Sequence, residues 1–169
     1  VSYVSGATGV SRFDNIERII GGKGNDVLDI SSTDFVFQNI ELQGNDGDDY
    51  LWGNDGDDLL DGGLGQDVLA GGRGKDQFIL RLGEGSSSLD KADAIRDFTL
   101  GEDSFALAGG LSVSNIVTEE ITSGTHKGKL SIKNKVSGEY YAVIDNLGSQ
   151  DLSSLTSSSF QTYANDETI

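Results

Sequence analysis

The chain has 169 residues, of which 28 are Asp or Glu and 12 are Lys or Arg, so its formal net charge is −16 at pH 7. The isoelectric point is near 4.1. This charge disfavours nucleic acids and anionic membrane surfaces as partners, because both would repel the protein, and it favours cations. The sequence contains no Cys, Pro or Met. Disulfides, thiolate metal sites and thiol nucleophiles are therefore excluded.

The length fits one domain or two small ones. No apolar run of about 18 residues is present, so no membrane-spanning helix is predicted. The first residues lack the basic and apolar blocks of a secretory signal. A chain that begins at Val1 and contains no Met is expected to be a piece of a longer protein, and a catalytic domain could precede it.

A nine-residue repeat dominates the N-terminal half. Each copy has Gly or Asn at its second position, Gly at its fourth, Asp at its sixth and an apolar residue at its eighth. The copies are GGKGNDVLD from Gly21, GNDGDDYLW from Gly44, GNDGDDLLD from Gly53, GGLGQDVLA from Gly62 and GGRGKDQFI from Gly71. A nonapeptide of this kind is typical of calcium-binding parallel β-helix repeats.

Each copy predicts one turn followed by one short strand, because six residues rich in Gly and Asn allow tight curvature and the last three suit a strand. Two copies make one coil, so the turns that stack are those whose first positions differ by two repeats (62 − 44 = 18 and 71 − 53 = 18). Stacking would bring Asp49 over Asp67 and Asp58 over Asp76. Carboxylates that close repel unless a cation lies between them, and Ca²⁺ accepts about 6 to 8 oxygen ligands, carbonyls included.

The first copy is offset from the tandem copies, since 44 − 21 = 23. The sequence FQNIE at 37–41 echoes FDNIE at 13–17. We interpret the offset as one coil whose second turn is a longer loop without metal, so that Asp26 still stacks near Asp49. Asn15 and Asn39 would then lie one above the other and hydrogen-bond to turn backbone.

These repeats, with AIRDFTLGEDSFAL at 94–107, resemble the RTX (repeats-in-toxin) family of secreted calcium-binding proteins, and in particular their serralysin-like C-terminal domains. The resemblance implies an all-β fold with a parallel β-roll, a calcium-binding nonapeptide solenoid, at residues 1–82. It implies a β-rich C-terminal cap with a type I secretion signal at residues 83–169. It also implies Ca²⁺ as the cofactor, at about 3–5 ions.

The family's scheme implies that one turn supplies the carbonyls of its second and fourth residues and its Asp. The turn one coil later then supplies the carbonyls of its first and third residues and its Asp. The first site would use Asn45, Gly47, Asp49, Gly62, Leu64 and Asp67. The second would use Asn54, Gly56, Asp58, Gly71, Arg73 and Asp76. A third, weakened by the insertion, would use Gly22, Gly24, Asp26, Gly44, Asp46 and Asp49. Two half-sites would use Gly63, Gly65 and Asp67, and Gly72, Gly74 and Asp76, completed by Asp97 and Asp103.

Several of these residues have structural alternatives. The sixth-position aspartates could belong to a solvated acidic loop, and Asp97 could be a turn or cap residue. The side chains of Asp46, Asp48, Asp55 and Asp57 are expected to face solvent. Trp52 is interpreted as a packed or capping aromatic residue rather than a carbohydrate platform. His126 is interpreted as the tip of a hairpin.

The C-terminal part predicts two strands and a tail. The lysines at 127–135 alternate with Leu130 and Ile132, which indicates one strand whose lysine face is solvated or contacts the acidic roll. Residues 140–144 suit a second strand. The segment at 149–159 is rich in Ser and Leu. It is interpreted as a frayed tail or, from the resemblance, as an uncleaved type I secretion signal that runs on to Asp166 and Glu167.

Together, the residues and the resemblance predict calcium binding that drives the folding of a secreted module. Free Ca²⁺ is scarce in the cytosol and about millimolar outside, and the expected affinity is about 10⁻⁴–10⁻³ M. The expected partners are calcium ions, the type I secretion machinery and a self-assembly or cell-surface partner. The expected location is extracellular or on the bacterial surface.

Two alternatives stay open. One is a structural or adhesive surface or matrix protein, and the other is an accessory domain of a secreted enzyme such as a serralysin-like protease or an alginate epimerase. No HExxH motif, Ser-His-Asp set or pair of catalytic acids stands outside the glycine-rich turns. The chain itself is therefore not expected to be an enzyme.

Overall fold

The computed structural model describes residues 16–32 and 39–163. These residues form thirteen strands and four short 3-10 helices. The strands are β1 (Arg18–Ile20), β2 (Val27–Asp29), β3 (Glu41–Asp46), β4 (Tyr50–Trp52), β5 (Leu59–Leu64), β6 (Val68–Ala70), β7 (Gln77–Arg81), β8 (Asp93–Ile95), β9 (Ser104–Ala108), β10 (Ile116–Glu120), β11 (Lys129–Asn134), β12 (Tyr140–Gly148) and β13 (Phe160–Thr162). The 3-10 helices are Leu89–Lys91, Val113–Asn115, Ser149–Ser154 and Ser157–Ser159.

The strands form two sheets between which the chain alternates. The first sheet has the order β1-β3-β5-β7-β9-β13, and the second has the order β10-β11-β12-β8-β6-β4-β2. From β1 to β9 successive strands alternate between the two sheets. This alternation generates a coil of two strands and two turns, which is the organisation that the nine-residue repeat predicts.

Parallel pairing sets the register of the coils. Leu51 pairs with Leu69 and Leu42 pairs with Leu60, so the partners in each pair are separated by two repeat lengths. Across the longer first coil, Leu28 pairs with Leu51. The stacking continues past the repeats, because β8 pairs with β6 and β9 pairs with β7, again in parallel.

The predicted all-β class and β-roll are confirmed, but a purely parallel roll is an incomplete description. Strand β11 pairs antiparallel with β10 on one side and with β12 on the other, and β12 joins the second sheet by pairing in parallel with β8. The second sheet is therefore mixed. We call β10–β12 the antiparallel extension.

The core is a column of apolar side chains from the eighth position of each repeat. Leu51, Leu60, Leu69 and Phe78 are fully buried, and all belong to one core cluster. Burying each such side chain contributes about 1.5–3 kcal/mol. In a β-strand, side chains point alternately to the two faces of the sheet. In a strand of three residues, the middle side chain therefore points inward. Because each repeat has nine residues and one such strand, every repeat adds one side chain to this column.

Aromatic rings close the lower end of the core. The rings of Phe98 and Phe105 stack at 4.7 Å between centroids, and those of Phe105 and Phe160 stack at 5.3 Å. Phe160 begins β13, which pairs in parallel with β9 at the edge of the first sheet. The segment from 149 to 163 is thus part of the fold rather than a frayed tail, whereas Asp166 and Glu167 lie outside the described residues. In the described part of the chain, no helix has the length and apolar character to span a membrane.

Candidate metal centre

Seven aspartates line the two edges of the roll where the turns stack. The turns that lead from the first sheet to the second carry the first aspartate row, which consists of Asp26, Asp49, Asp67 and Asp93. The turns that lead back carry the second aspartate row, which consists of Asp58, Asp76 and Asp103. In both rows each aspartate is followed directly by a strand residue.

Backbone hydrogen bonds connect the members of the first row. The N–H of Asp26 donates to Oδ1 of Asp49 at 2.7 Å, and the N–H of Asp49 donates to Oδ1 of Asp67 at 2.8 Å. The N–H of Asp67 donates to Oδ1 of Asp93 at 3.0 Å. Stacking therefore brings these acidic residues together as the spacing of two repeats predicts, and it carries the row one step beyond the repeats.

The second row repeats this arrangement with a different upper end. The N–H of Asp58 donates to Oδ1 of Asp76 at 2.9 Å, and that of Asp76 donates to Oδ1 of Asp103 at 3.0 Å. At the upper end, the N–H of Ile40 donates to Oδ1 of Asp58 at 2.9 Å. The buried Ile40 thus occupies the place of an aspartate, so a site above Asp58 would lack its second carboxylate.

The sequence predicts that the second turn of the first coil is a loop without metal, and the position of Ile40 agrees with this prediction. The predicted stacking of Asn15 on Asn39 cannot be located in the same way, because Asn15 lies outside the described residues. Asn39 itself has a left-handed backbone, with φ of 57°.

The glycine at the first position of each turn makes room for the carboxylate of the same turn. A Cβ atom on Gly44 or Gly62 would lie 2.3 Å from Oδ2 of Asp49 or Asp67, respectively. On Gly71 it would lie 2.1 Å from Oδ2 of Asp76. Real Cβ contacts are never this short, so the first-position glycines are needed for the aspartates to enter the turns.

The glycines at the second and fourth positions let carbonyl oxygens approach from the neighbouring turn. A Cβ atom on Gly63 would lie 2.1 Å from the carbonyl oxygen of Asn45, and one on Gly65 would lie 1.9 Å from that of Gly47. Both glycines also have left-handed backbones, with φ of 93° and 146°. Predicted carbonyl ligands therefore lie against the stacked turn, where a metal ion would bridge two coils.

Within the two aspartate rows, three buried carboxylate oxygens have no hydrogen-bond partner among the described residues. They are the Oδ2 atoms of Asp49, Asp67 and Asp76. All three side chains are at most 1% exposed. An unpaired buried carboxylate oxygen is costly, because its charge has lost water and gained no donor. The three atoms thus fit an oxygen-binding cation.

Burial also raises the pKa of these carboxylates. Mainly through desolvation, with added repulsion from neighbouring acids, the pKa of Asp67 and that of Asp76 rise to about 7. Desolvation likewise raises the pKa of Asp49, Asp58 and Asp103, and it raises the pKa of Asp93 well above its ordinary value. At neutral pH the rows therefore hold carboxylates that favour a proton or a cation.

Some predicted carbonyl ligands are already hydrogen-bonded to the next turn. The carbonyl of Leu64 accepts the N–H of Gly47 at 2.8 Å, and that of Asn54 accepts the N–H of Arg73 at 2.9 Å. The carbonyl of Asp46 accepts the N–H of Gly24 at 2.5 Å. A carbonyl oxygen has two lone pairs, so it can accept such a bond and still face an ion.

Within residues 16–32 and 39–163, no group of three or more His, Cys, Asp or Glu side chains is placed to hold a metal ion. The rows bring Asp carboxylates together with the backbone carbonyls of the stacked turns. That donor set is composed of oxygen alone, which suits Ca²⁺ and excludes the nitrogen and sulfur ligands that zinc prefers.

The two asparagines at second positions behave differently. Asn45 has a left-handed backbone with φ of 80°, as the resemblance requires for a residue that replaces Gly. Asn54 is buried, and its side-chain Oδ1 accepts the N–H of Gly56 at 3.0 Å. The turn at 53–58 therefore has its own internal hydrogen bond.

The two candidate residues below the repeats have separate places. Asp103 belongs to the second row, and its Oδ2 also accepts the N–H of Thr99 at 2.7 Å. Asp97 belongs to neither row, since its two carboxylate oxygens accept the N–H groups of Gly71 and Gly72, each at 3.0 Å. These bonds suit the structural alternative, and the ligand role of Asp97 stays a prediction.

Asp93 is the row member that sequence reasoning missed. Its separation from Asp67 is 93 − 67 = 26, so the strict period of 18 does not find it. The sequence feature that could have indicated Asp93 is weaker. It is an aspartate followed two residues later by an apolar residue, as in Asp93-Ala94-Ile95 and Asp103-Ser104-Phe105. Asp93 and Asp103 thus take, in the stacked coils, the place of the sixth-position aspartate of the repeats.

The remaining candidates take structural positions. Asp48 and Asp57 are exposed as expected, but their Oδ1 atoms also accept the N–H groups of Gln66 at 2.9 Å and Lys75 at 2.8 Å. Trp52 is partly exposed, and its ring makes an edge contact with that of Tyr50 at 6.2 Å. His126 lies between β10 and β11, with its Nε2 atom 3.6 Å from Oδ1 of Asp90.

Comparisons with known proteins agree with this geometry. The family model of the RTX calcium-binding nonapeptide repeat matches residues 13–29 and 42–83 in four copies. No curated protein sequence matches the chain closely enough to count as a relative.

Among solved structures, the chain is similar to two subunits of the mannuronan C5-epimerase of Azotobacter vinelandii. The AlgE6R3 subunit is 24% identical with a TM-score of 0.61, over 94% of this chain and 90% of that one. The AlgE6R2 subunit is also 24% identical, with a TM-score of 0.60, over 90% of this chain and 96% of that one. This likeness supports the β-roll fold. The chain therefore carries RTX calcium-binding nonapeptide repeats.

Proposed function

We propose that this chain binds calcium ions between successive turns of the roll and that the binding drives its folding. The observation that carries the proposal is the set of buried Oδ2 atoms of Asp49, Asp67 and Asp76, which have no donor within the described residues. Four pairs of row members flank the proposed sites: Asp26 with Asp49, Asp49 with Asp67, Asp58 with Asp76, and Asp76 with Asp103. The carbonyls of the intervening turns complete them, as the family's scheme implies.

The ions would be required for the roll to close. Each row brings carboxylates together in a chain whose net charge is already −16. When bound, a calcium ion supplies two positive charges between two turns, and this chain's glycines and aspartates position the oxygens that hold it. Because both turns are needed to form a site, the free energy of binding becomes free energy of folding. Neighbouring sites share aspartates, so binding is expected to be cooperative.

Export through a type I system is the second part of the proposal. Residues 1–82 would contain the main calcium sites, and residues 83–169 would close the roll and carry the export signal. Phe160 is buried against Phe105 in the folded chain. The exporter would therefore have to recognise this segment before folding, in a cytosol poor in Ca²⁺. Folding would follow outside the cell, where Ca²⁺ is about millimolar.

The experiment that tests the folding proposal is a calcium titration of the chain followed by far-UV circular dichroism. Magnesium serves as the control ion, since it demands near-octahedral geometry and keeps its own waters. EDTA should reverse the change. We expect a cooperative gain of β signal with calcium, and a chain that is fully folded in EDTA would overturn the proposal.

A second candidate function is that of an accessory module beside a catalytic domain. It is favoured by the similarity to the two epimerase subunits, which extends over nearly the full length of both chains. The complete reading frame tests this candidate. A hydrolase or epimerase motif upstream would support it, and further repeats alone would favour a surface or matrix protein.

A further inference from the structure

We propose that two copies of this chain pair through the outer surface of the second sheet, with Trp52 of each copy packed on Ala70 of the other. This surface lies apart from the aspartate rows, so the pairing goes beyond calcium binding. It rests on the proposed function in one respect. The net charge of −16 keeps two copies apart, and bound calcium would offset part of that charge.

The outer surface of the second sheet is open to solvent over four neighbouring strands. In each of β2, β4, β6 and β8, one Leu or Ile packs in or against the core cluster, so the residues on either side of it point outward. The surface ends at β2 because this is the edge strand, and it ends at β8 because Leu89 and Ala92 pack on Val143 of β12. We call the outward residues the open face, and they are Val27, Asp29, Tyr50, Trp52, Val68, Ala70, Ala94 and Arg96. None of these eight residues is buried.

Exposed apolar side chains are grouped on the open face. Val27, Tyr50 and Trp52 are 55%, 44% and 37% exposed. They lie on adjacent strands, since Val27 pairs with Tyr50, and the rings of Tyr50 and Trp52 contact each other at 6.2 Å. A contiguous exposed apolar group is typical of an interaction surface.

The open face has one half with large side chains and one half with small side chains. Tyr50 and Trp52 of β4 are in register with Val68 and Ala70 of β6. Two packed sheets lie about 10 Å apart, which is too close for two large rings end to end but accommodates a ring opposite Ala or Val. A two-fold axis parallel to the strands, between β4 and β6, lays β4 of each copy over β6 of the other. Trp52 then faces Ala70 of the second copy, and Tyr50 faces its Val68.

The same axis brings opposite charges together. It lays β2 over β8 of the second copy, so that Asp29 faces Arg96. Asp29 accepts the N–H and the hydroxyl of Ser31 at 2.9 and 2.6 Å, and within the described residues it forms no ion pair. The Arg96 side chain is 51% exposed and contacts Asp145, which Lys129 also contacts at 2.5 Å. Arg96 has five donors, so it can bind a second carboxylate, and the two-fold interface forms this ion pair twice.

A two-fold axis that runs across the strands would pack the same surface less well. It would lay each strand over its own copy, with Trp52 opposite Tyr50 and Asp29 opposite Val27. Two large rings would then hold the sheets apart, and a carboxylate would lose water against an apolar side chain. The arrangement of the residues therefore favours the axis parallel to the strands.

The small size of the open face predicts a weak dimer. Its four strands span about 14 Å across, and three residues span about 10 Å along each strand. A stable dimer usually buries about 800 Å² per partner, which is more than this face offers. We therefore expect a dimer that exchanges with the monomer and depends on protein concentration.

Trp52 reports on the pairing directly because it is the single tryptophan of the chain. Circular dichroism first establishes that the chain is folded, with calcium added. Sedimentation velocity then measures the dimer, and acrylamide quenching of Trp52 fluorescence is followed over the same protein concentrations. We expect a monomer–dimer equilibrium in which the quenching of Trp52 falls in proportion to the fraction of dimer.

Charge reversal locates the interface. Asp29→Lys and Arg96→Glu should each raise the dissociation constant of the dimer at least about tenfold, because each places like charges opposite each other. An equimolar mixture of the two variants should restore the parent value, since both facing positions then carry opposite charges. Glu120→Lys is the matched control, because Glu120 is exposed on β10, outside the open face. The control should not weaken the dimer.

A folded chain that stays monomeric up to about 1 mM would overturn the inference. A dimer that neither variant weakens, or a mixture that does not restore pairing, would also overturn it. If a variant does not fold, the concentration dependence of Trp52 quenching in the parent chain decides alone. Quenching that responds to a neutral glucan but not to protein concentration would overturn the inference and assign the open face to a carbohydrate. A chain that is folded in EDTA would overturn the proposed function, whereas the same experiments would still decide the pairing.

Discussion

The N–H of Asp58 donates to Oδ1 of Asp76 at 2.9 Å, and this bond uses only one of the two carboxylate oxygens of Asp76. The other oxygen, Oδ2, is buried without a donor within the described residues. The stacking of turns therefore gives the backbone N–H of Asp58 an acceptor, but it leaves the negative charge of the Asp76 carboxylate without a compensating partner. A residue of this kind opposes folding without metal and supports it with metal.

Asp76→Asn should consequently shift stability in opposite directions with and without calcium. The amide keeps an oxygen that accepts the N–H of Asp58, but it removes the buried charge. We expect the variant to show more β signal in EDTA than the parent chain does. We also expect its calcium midpoint to rise about tenfold, which corresponds to about 1.4 kcal/mol of lost binding free energy. Circular dichroism in EDTA and during a calcium titration measures both.

The matched control is Asp57→Asn. Asp57 is exposed, and its Oδ1 accepts the N–H of Lys75 at 2.8 Å, a bond that an amide oxygen can also make. The control loses the same unit of charge with no loss of a proposed ligand. Equal calcium midpoints for the two variants would show that total charge, and not the row position, controls binding.

A methyl group at Gly71 should prevent the roll from closing. The Cβ atom of an alanine would lie 2.1 Å from Oδ2 and 2.6 Å from Cβ of Asp76. The backbone of Gly71 is outside the left-handed region, so the conflict is one of space alone. We expect Gly71→Ala to lose the calcium-induced gain of β signal at concentrations that saturate the parent chain.

Gly22→Ala is the control for this contact. At Gly22 the nearest atom to an added Cβ is Oδ2 of Asp26 at 3.8 Å, an ordinary contact distance. This variant should stay within about 0.5 kcal/mol of the parent free energy of unfolding. If both alanine variants fold normally, the turns are looser than the structure shows them.

The roll could be predicted from the sequence because the nine-residue period is strict in the four tandem repeats from Gly44 to Ile79. With stacked turns separated by two repeats, Leu51 must pair with Leu69, and Asp49 must then lie next to Asp67. Asp93 was missed because the segment between β7 and β8 lengthens that coil beyond two repeats. Once the period fails, only the short pattern of an aspartate two residues before an apolar residue remains, and such a pattern is common by chance.

The antiparallel extension shows a second limit. Alternation indicated strands at 127–135 and at 140–144, and the structure has β11 and β12 there. Alternation cannot tell which sheet edge a hairpin will join, since that depends on contacts far away in the chain. Here Ala142 pairs with Asp93, and Asp145 contacts Arg96 and Lys129. These contacts place the hairpin beside β8.

Without metal, the chain should be less stable at alkaline pH than at acidic pH. The pKa of Asp67 and that of Asp76 are about 7 in the folded chain, above the ordinary value of 3.8. The folded state therefore binds more protons than the unfolded state between these values. The stabilisation is complete below about pH 4 and is lost as the pH rises through about 7. Far-UV circular dichroism in EDTA from pH 4 to pH 8 should show a β signal that falls as the pH rises.

Calcium should reverse the direction of this pH dependence. Protons and calcium compete for the same carboxylates, so the calcium midpoint should fall as the pH rises through about 7. The double variant Asp67→Asn with Asp76→Asn provides the control, because it cannot take up these two protons. A parent chain whose β signal in EDTA rises towards pH 8 would contradict these pKa values.

Phe160→Ala should separate the structural role of the C-terminal segment from its proposed role in export. The ring of Phe160 is 7% exposed and stacks on that of Phe105 at 5.3 Å. Its removal should cost about 3–5 kcal/mol of folding free energy. Gln161→Ala, at an exposed position of the same strand, should cost little. Urea titrations in saturating calcium measure both values, and a fully stable Phe160→Ala would mean that β13 does not close the first sheet.

The export arm uses the same two variants in cells that carry a type I exporter. If the segment is recognised while unfolded, Phe160→Ala should reach the medium in the amount of the parent chain and then fail to fold there. The amount of protein in the medium measures export, and the calcium-dependent circular dichroism of that protein measures folding. Loss of Phe160→Ala from the medium with accumulation of intact chain inside the cells would instead place Phe160 in the recognised signal itself.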